Sequence, residues 1–311
     1  MPRVALTGAT GFVGGHVLTA MLAAAGEVRA LARRGAPALV RPGVTLVPGS
    51  LDDAASLADL VRGCETVVHV AGLIQAPDRA AFMAANAEGS ARLAQAAAQA
   101  GCRRFIYVSS LAAREPGISP YAASKAAGEA AVSDHAGVMA VGIVRPPAVY
   151  GPGDRATLPL LRGLTKGWLV APAGERARFS LLHVHDLAEL IARLATAETS
   201  LVGTVEPDDG REGGYAWADL ARLAEPVVGR KVRLVQAPRP VLTGVAALAE
   251  GVGRLAGKPP LLSRVKVAEL FHPDWVCQAA HRSYLPGWSP RLDFARGLPP
   301  TLAWYREAGW L

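Results

Sequence analysis

The sequence predicts an α/β fold, a doubly wound parallel sheet with a smaller C-terminal α/β lobe, and three observations predict it. Short apolar runs alternate with alanine-rich stretches through the first 150 residues, the pattern of a sheet covered by helices on both faces. A glycine-rich turn, Thr7-Gly8-Ala9-Thr10-Gly11-Phe12-Val13-Gly14, stands between the first apolar run and the first helical stretch, where such sheets carry an anion-binding loop. The alternation then loosens, dividing the chain into residues 1–150 and 151–311. No repeat, charge block or low-complexity linker separates the two parts, so the second packs on the first, with room for the chain to cross between them.

Val4–Thr7 reads as the first strand, ending at a glycine, and Gly11–Ala25 as the first helix, ending at Gly26. Val28–Ala32 and Thr45–Pro48 follow as short strands, then Ala54–Val61 as a helix. Thr66–Val70 and Arg104–Val108 are β-branched and aromatic runs that bracket a helical Arg79–Ala100. Tyr121–Ala136 is the next helix and Met139–Val144 the sixth strand. Proline and glycine then mark loops at Arg145-Pro146-Pro147 and Gly151-Pro152-Gly153-Asp154. In the second half Leu187–Ala197 and Tyr215–Val228 read as helices, and Thr204–Glu206 and Val232–Val235 as short strands. Val241–Leu255 is an apolar helix bounded by Pro240 and Gly257, and a last helix runs near Pro300–Glu307.

Apolar residues make up 51% of the 311, enough for a sizeable core. No apolar stretch reaches the ~18 residues that a membrane span needs, and a first strand beginning at Arg3-Val4 leaves no room for a signal peptide. Cys64, Cys102 and Cys277 are far apart and lack metal-ligand spacing. A reduced, cytoplasmic protein is expected. The net charge of +7 raises the question of nucleic acid. The basic residues are scattered with few aromatics among them, so no binding stripe forms, and an anionic cofactor or substrate accounts for local positive charge.

In the glycine loop, Gly8 suits a tight turn, Gly11 lets backbone approach a diphosphate, and Gly14 lets helix and strand pack closely. Thr10, Phe12 and Val13 fall in the same loop and first helical turn. A diphosphate there would rest on the helix N-terminus. The second strand ends at Ala32, where an NAD site wants a carboxylate for the ribose 2′-hydroxyl, and Arg33-Arg34 follow. A missing acid beside arginines suits a 2′-phosphate, so NADP is expected ahead of NAD. Asp52, after Gly49-Ser50-Leu51, can accept from the adenine amine, as can Asp53; either can instead cap the next helix.

Tyr121 and Lys125 stand four apart in Tyr121-Ala122-Ala123-Ser124-Lys125, on one helix face. An ammonium beside a phenol favours the phenolate and brings the tyrosine pKa down toward neutrality, which suits proton transfer. Ser110, closing the run Phe105-Ile106-Tyr107-Val108-Ser109, can hydrogen-bond a substrate oxygen. An amphipathic helix start is the plainer account of the pair, but lysine is scarce here. His183 and His185 have no third ligand nearby and read as structural. Asp186 reads as an N-cap or loop anchor, and Asn86 as a cap or kink of its helix.

Together these residues resemble the extended short-chain dehydrogenase/reductase family, the NAD(P)-dependent epimerase/dehydratase group. The motifs occur in order: Thr7-Gly8-x-x-Gly11-x-x-Gly14, His69-Val70-Ala71-Gly72, Asn86, Ser109-Ser110, Tyr121-x-x-x-Lys125 and Arg145-Pro146-Pro147-Ala148-Val149-Tyr150-Gly151-Pro152-Gly153. Val184-His185-Asp186-Leu187-Ala188 and the closing Gly287-Trp288-Ser289-Pro290, Gly297-Leu298 and Trp304-Tyr305 are similar to further family signatures. The resemblance implies a Rossmann-type fold, Tyr121 as acid/base, and Lys125 lowering its pKa and binding the nicotinamide ribose. It implies Ser110 polarising the reacting C–O bond, with Ser109 the second choice. Val70, Ala71 and Gly72 would run close to the diphosphate and ribose, and Pro146 and Val149 would line the nicotinamide pocket.

One departure bears on substrate. Only eleven positions separate Ser110 from Tyr121, a shorter segment than sugar-nucleotide members usually have, and no Asp-Glu pair stands beside the serine as in dehydratases. The helix Val241–Leu255 and Lys258-Pro259-Pro260-Leu261-Leu262-Ser263-Arg264 are similar to the corresponding region of 3β-hydroxysteroid-dehydrogenase-like members. Phe271-His272-Pro273-Asp274-Trp275 could close over the site. The leading expectation is an NADP(H)-dependent oxidoreductase acting on a secondary alcohol or ketone, with a small-molecule substrate that the apolar helix allows to be lipophilic. A nucleotide-sugar epimerase or dehydratase is one alternative, and a non-catalytic NADP-binding scaffold or redox sensor another. A homodimer through the Tyr-Lys helix is also expected, with Ala126, Ala127, Gly128, Ala130 and Ala131 permitting close packing.

Overall fold

The computed structural model describes residues 3–33, 36–174, 176–198, 201–255, 262–282 and 287–311. Arg34, Gly257 and Lys258-Pro259-Pro260-Leu261 lie outside them. The strands are β1 (Val4–Thr7), β2 (Val28–Ala32), β3 (Val44–Pro48), β4 (Thr66–His69), β5 (Arg104–Val108), β6 (Ala140–Val144) and β7 (Ala148–Tyr150). They continue with β8 (Trp168–Ala171), β9 (Arg178–Phe179), β10 (Leu181–His183), β11 (Gly203–Val205), β12 (Arg233–Gln236) and β13 (Asp274–Trp275). A seven-stranded parallel sheet runs β3-β2-β1-β4-β5-β6-β11. The strand order reverses between β1 and β4, and ligands of open α/β sheets bind at such a switch point, outside the carboxyl ends of the strands.

The period of two along each strand builds the two faces. Val4 and Leu6 of β1, Val68 of β4 and Ile106 of β5 share one buried cluster with Val17, Leu18 and Met21 of α1 (Phe12–Ala25). The intervening Ala5, Val67, Phe105 and Tyr107 face the other way, onto Leu57 and Leu60 of α2 (Ala54–Val61). The stretch Arg79–Ala100 is not one regular helix. It divides into α3 (Arg79–Met83), a π-helical turn over Ala84–Glu88 and α4 (Gly89–Gln99), and Leu93 and Ala94 of α4 join the second cluster. α5 (Pro120–Ser133) starts one residue before Tyr121, because Ser119 accepts from Ala122 N at 2.9 Å and Pro120 takes the first turn.

The second half contains α6 (Leu158–Lys166), α7 (Val184–Thr196), α8 (Trp217–Val228), α9 (Arg239–Leu255), α10 (Arg264–Leu270) and α11 (Phe294–Glu307). Two of its elements return to the sheet. Leu187, Leu190 and Ile191 of α7 complete the first cluster beside α1, and β11 pairs with β6 as an edge strand. A third cluster belongs to the lobe, where Tyr150, Leu161, Leu164, Leu169, Tyr215, Leu220, Phe294 and Leu302 are buried together. α11 begins six residues before Pro300, capped by the Asp293 carboxylate on Arg296 N at 2.9 Å, and runs through Pro299 and Pro300.

Candidate active site

The loop after β1 meets the loop after β4 at the switch point. Gly8 has φ +80°, and a Cβ there would fall 2.6 Å from Ala71 N, so only glycine lets the two backbones touch. A Cβ on Gly14 would fall 2.0 Å from the Gly8 carbonyl oxygen, which fixes how closely α1 approaches β1. Gly11 is the N-cap of α1 and offers no side-chain cap, and the first turn with Phe12 and Val13 carries no acid. Thr10 and Gly11 are exposed. This cradle fits a diphosphate, with helix N–H groups and dipole open to an anion.

Beyond β4, Val70 N donates to Thr7 O at 3.3 Å and Ala71 N to Thr7 Oγ1 at 3.3 Å. Exposed Gly72 follows, where a Cβ would lie 2.9 Å from Asn86 Oδ1 and 3.7 Å from Lys125 Nζ. The glycine cradle and the Lys125 ammonium therefore border one space. Ala32 closes β2 as a buried residue, and Arg33 beside it is exposed and pairs with no described acid. Asp53 caps α2, accepting from Ala55 N at 3.0 Å. Asp52 instead holds Arg92 at 2.6 Å, and Arg92 Nε also donates to Leu51 O at 2.8 Å.

Ser110, two residues past the end of β5, caps a short 3-10 turn, its Oγ accepting from Ala112 N at 3.2 Å. Pro146 O accepts from Leu111 N at 2.9 Å, which ties the loop after β6 to that turn. Val149 lies in β7, paired with Leu182 and packed against the first core cluster. Lys125 is buried, donates from Nζ to Val108 O at 2.8 Å, and stands 4.3 Å from the Tyr107 ring centroid. Tyr121 packs edge-on against Phe82, the ring centroids 6.0 Å apart. Thus β5, α3 and α5 converge on the phenol.

The titration of this pair departs from the expectation of a lowered tyrosine. Burial pushes the Tyr121 phenol up and is the largest influence. The Lys125 charge and a hydrogen bond with Ser110 pull it down, but the net direction is upward. Lys125 is pushed down by burial and supported by Tyr121 and Glu129. The charge attraction acts as foreseen; desolvation, which sequence does not reveal, outweighs it.

Asn86 sits in the π turn. Its Oδ1 accepts from Leu73 N at 2.7 Å, and its Nδ2 donates to Leu73 O and to Ser124 Oγ, each at 2.9 Å. His69 joins the neighbouring strands to this turn: Nδ1 lies 2.6 Å from Thr7 Oγ1, Nε2 2.9 Å from Ser90 Oγ, and Ser90 donates to Asn86 O at 2.7 Å. Burial and the Lys125 charge push the His69 pKa down to about 3. The network assigns the proton to Nε2, because Ser90 is already committed as donor to Asn86. Asp186 accepts from Arg291 N and Leu292 N at 3.1 and 2.9 Å, which makes it a loop anchor. His183 and His185 meet edge to face, as do His185 and His16, at centroid distances of 4.9 Å.

Sequence reasoning missed a charge network beneath Ser109. Ser109 Oγ donates to Glu129 Oε1 at 2.5 Å, and Arg145 grips both oxygens of Glu129 at 2.8 and 2.5 Å. Arg145 also faces fully buried Glu206 at 3.6 Å, which meets Arg114 at 3.9 Å. Arg114 in turn donates to the Asp274 and Val276 carbonyls, each at 2.8 Å. Glu129 could have been suspected from its position four after Lys125, on the same face. Glu206 had no local signal, since only β11 pairing brings it here. Ser119 Oγ, besides capping α5, donates to Glu269 Oε1 of α10 at 2.6 Å.

The model of the NAD dependent epimerase/dehydratase family matches residues 4–204. A ceramide reductase of Caulobacter vibrioides is 39% identical over 99% of this chain and 96% of its own. A 3 beta-hydroxysteroid dehydrogenase/Delta 5-->4-isomerase of Mycobacterium tuberculosis is 28% identical over 97% of this chain and 90% of its own. Among solved structures, a dTDP-glucose 4,6-dehydratase from Streptomyces venezuelae with NAD bound superposes with a TM-score of 0.72 at 22% identity, covering 99% of this chain and 98% of that one. That likeness shows the fold, a Rossmann-like parallel sheet with flanking helices. The ordered motifs, the switch-point cradle and the family match lead to one conclusion: the chain belongs to the NAD dependent epimerase/dehydratase family of extended short-chain dehydrogenases/reductases.

Proposed function

We propose that the protein is an NADP(H)-dependent oxidoreductase that interconverts a ketone and a secondary alcohol, with Tyr121 as the acid/base. The observation that carries this reading is the buried Lys125 ammonium, fixed by Val108 O at 2.8 Å and bordering both Gly72 and Tyr121. A buried ammonium costs several kcal/mol unless it has work for its charge, and here that work is to favour the Tyr121 phenolate. Ser110 Oγ accepts from Ala112 N and its hydroxyl hydrogen-bonds the Tyr121 phenol, which would set both groups beside one substrate oxygen. In reduction Tyr121 gives its phenolic proton to the ketone oxygen, and in oxidation it takes that proton back. The bound nicotinamide supplies or accepts the hydride.

Gly8, Thr10, Gly11, Phe12, Val13 and Gly14 would hold the diphosphate, with Val70, Ala71 and Gly72 along it. Lys125 would bind the ribose, and Pro146 and Val149 would flank the nicotinamide. Leu51 and the free carboxylate oxygen of Asp52 would meet the adenine. Buried Ala32 followed by exposed Arg33 supports a 2′-phosphate, hence NADP. The names of the Caulobacter and Mycobacterium relatives favour a lipophilic substrate. The test is Tyr121→Phe: turnover with NADPH falls by about 10²–10⁴-fold, while NADPH binding, read by fluorescence, persists. An active Tyr121→Phe enzyme overturns the reading. The family match favours a second reading, a nucleotide-sugar epimerase or dehydratase. Tightly copurifying cofactor with no net consumption during turnover would select it.

A further inference from the structure

Helix α10 carries one acid, Glu269, and buries it. Oε1 accepts from Ser119 Oγ at 2.6 Å, and Oε2 accepts from Lys266 Nζ at 2.7 Å. The Ser119 hydroxyl has one proton, given to Glu269, and a lone pair that accepts from Ala122 N at 2.9 Å as the cap of α5. Carboxylate, hydroxyl and helix start thus form one chain. Tyr121 lies inside it, between Ser119 and Ala122. Glu269 therefore fixes, from the C-terminal lobe, the turn of backbone that carries the phenol.

The far end of α10 is fixed as well. Glu269 O accepts from Trp275 Nε1 at 2.8 Å, and Trp275 pairs with Phe179 where β13 meets β9. Arg114 donates to the Asp274 and Val276 carbonyls on either side of that tryptophan. The segment between Ser110 and Tyr121 is thus held by the lobe at two points, Arg114 and Ser119. Packing alone does not call for a carboxylate at 269. Buried against a hydroxyl and one half-exposed ammonium, it costs more than an apolar side chain of its size. The surroundings of Tyr121 supply a use for the charge. Burial is the largest influence on the phenol and pushes it up; Lys125 of α5 and Ser110 draw it down; Glu269 of α10 and Tyr107 of β5 push it up. Glu269 is the one carboxylate in that set.

We propose that Glu269 is a positioning residue for Tyr121: through Ser119 it fixes the start of α5, and its negative charge opposes the Lys125 ammonium at the phenol. The inference rests on the reading of Tyr121 as acid/base and gives the C-terminal lobe a part in that chemistry. Lys125 and Ser110 favour the phenolate that oxidation needs. Glu269 favours the protonated phenol that reduction needs.

Two variants of the full-length protein separate the parts. Glu269→Gln keeps an oxygen for Ser119 and removes the charge, whereas Glu269→Ala removes both. In Glu269→Gln the pH midpoint of kcat/KM for alcohol oxidation is expected to move downward, because a charge opposing the phenolate is gone. In Glu269→Ala kcat is expected to fall about 10²-fold, further than in Glu269→Gln, with NADPH binding retained by fluorescence. A carboxylate that serves stability alone would lower the melting temperature and leave the midpoint in place. The ultraviolet absorbance of the Tyr121 phenolate, taken as each protein minus its Tyr121→Phe counterpart, reads the same midpoint without turnover. An unmoved midpoint in folded Glu269→Gln overturns the proposal, as does an equal kcat in the two variants. Glu269→Gln carries the test alone if Glu269→Ala does not fold. The redox reading fails separately: an active Tyr121→Phe enzyme overturns it, while a lowered absorbance midpoint in Glu269→Gln still supports the action of Glu269 on the phenol.

Discussion

At the residue scale, Tyr121 and Lys125 each oppose what burial does to the other. The phenol is pushed up by desolvation and drawn down by the ammonium and by Ser110. Removing Ser110 takes away one of the downward influences. Ser110→Ala is therefore expected to move the pH midpoint for alcohol oxidation upward, since that direction needs the phenolate; a kcat/KM profile against pH reads the shift. Arg33→Ala is expected to raise the KM for NADPH about tenfold, the loss of one charge-assisted contact, and to leave NADH nearly unaffected. Steady-state kinetics with both cofactors check it. His69 adds a stability consequence. Its folded pKa, about 3, lies below the ordinary 6.5, so protonation favours the unfolded chain. Its contribution is complete above pH 6.5 and is lost as pH falls through the window toward 3. Denaturant midpoints at pH 7 and pH 5 are expected to differ less for His69→Gln than for the wild-type protein.

At the scale of the element, α5 shows how much was legible in sequence. Its Tyr-Lys spacing gave the shared face, and Ser119-Pro120 is a readable start signal that moves the first residue back by one. Gly128 carried no such signal. It was expected to serve a dimer contact, yet a Cβ there would fall 2.3 Å from Asn86 O and 2.4 Å from the Tyr107 hydroxyl. It is therefore committed to packing α5 against the π turn inside the chain. Gly128→Ala is expected to destabilise the protein by about 2 kcal/mol through overpacking, seen as a lower urea midpoint. The π turn itself was invisible, because Ala84-Ala85-Asn86-Ala87-Glu88 is ordinary helical sequence. What bends it is tertiary: Asn86 clasps Leu73, and its carbonyl receives Ser90 and Tyr107.

At the scale of the whole molecule, strands β1, β2 and β5 were readable to the residue because each is a buried run bounded by turn residues. β8, β9 and β10 escaped because they are short strands whose hydrogen-bond partners come from far along the chain, and α6 and α10 escaped as helices of only nine and seven residues. The charge network is of the same kind, with residues 114, 129, 145 and 206 assembled only by the fold. Glu206→Gln leaves Arg114 and Arg145 without their buried carboxylate and is expected to cost about 3 kcal/mol, measured by equilibrium denaturation.

β11 has a consequence for how the protein is made. Until residue 205 has left the ribosome, β6 is an open edge, with Arg145 N awaiting the Val205 carbonyl it meets at 2.8 Å in the finished fold. An open parallel edge is a template for pairing with another nascent chain. The sheet is thus vulnerable for the time needed to synthesise some sixty residues after β6. A fragment ending at residue 150 is expected to aggregate, whereas one extended past α7 and β11 covers β6 and leaves only the three-residue β11 as the edge on that side.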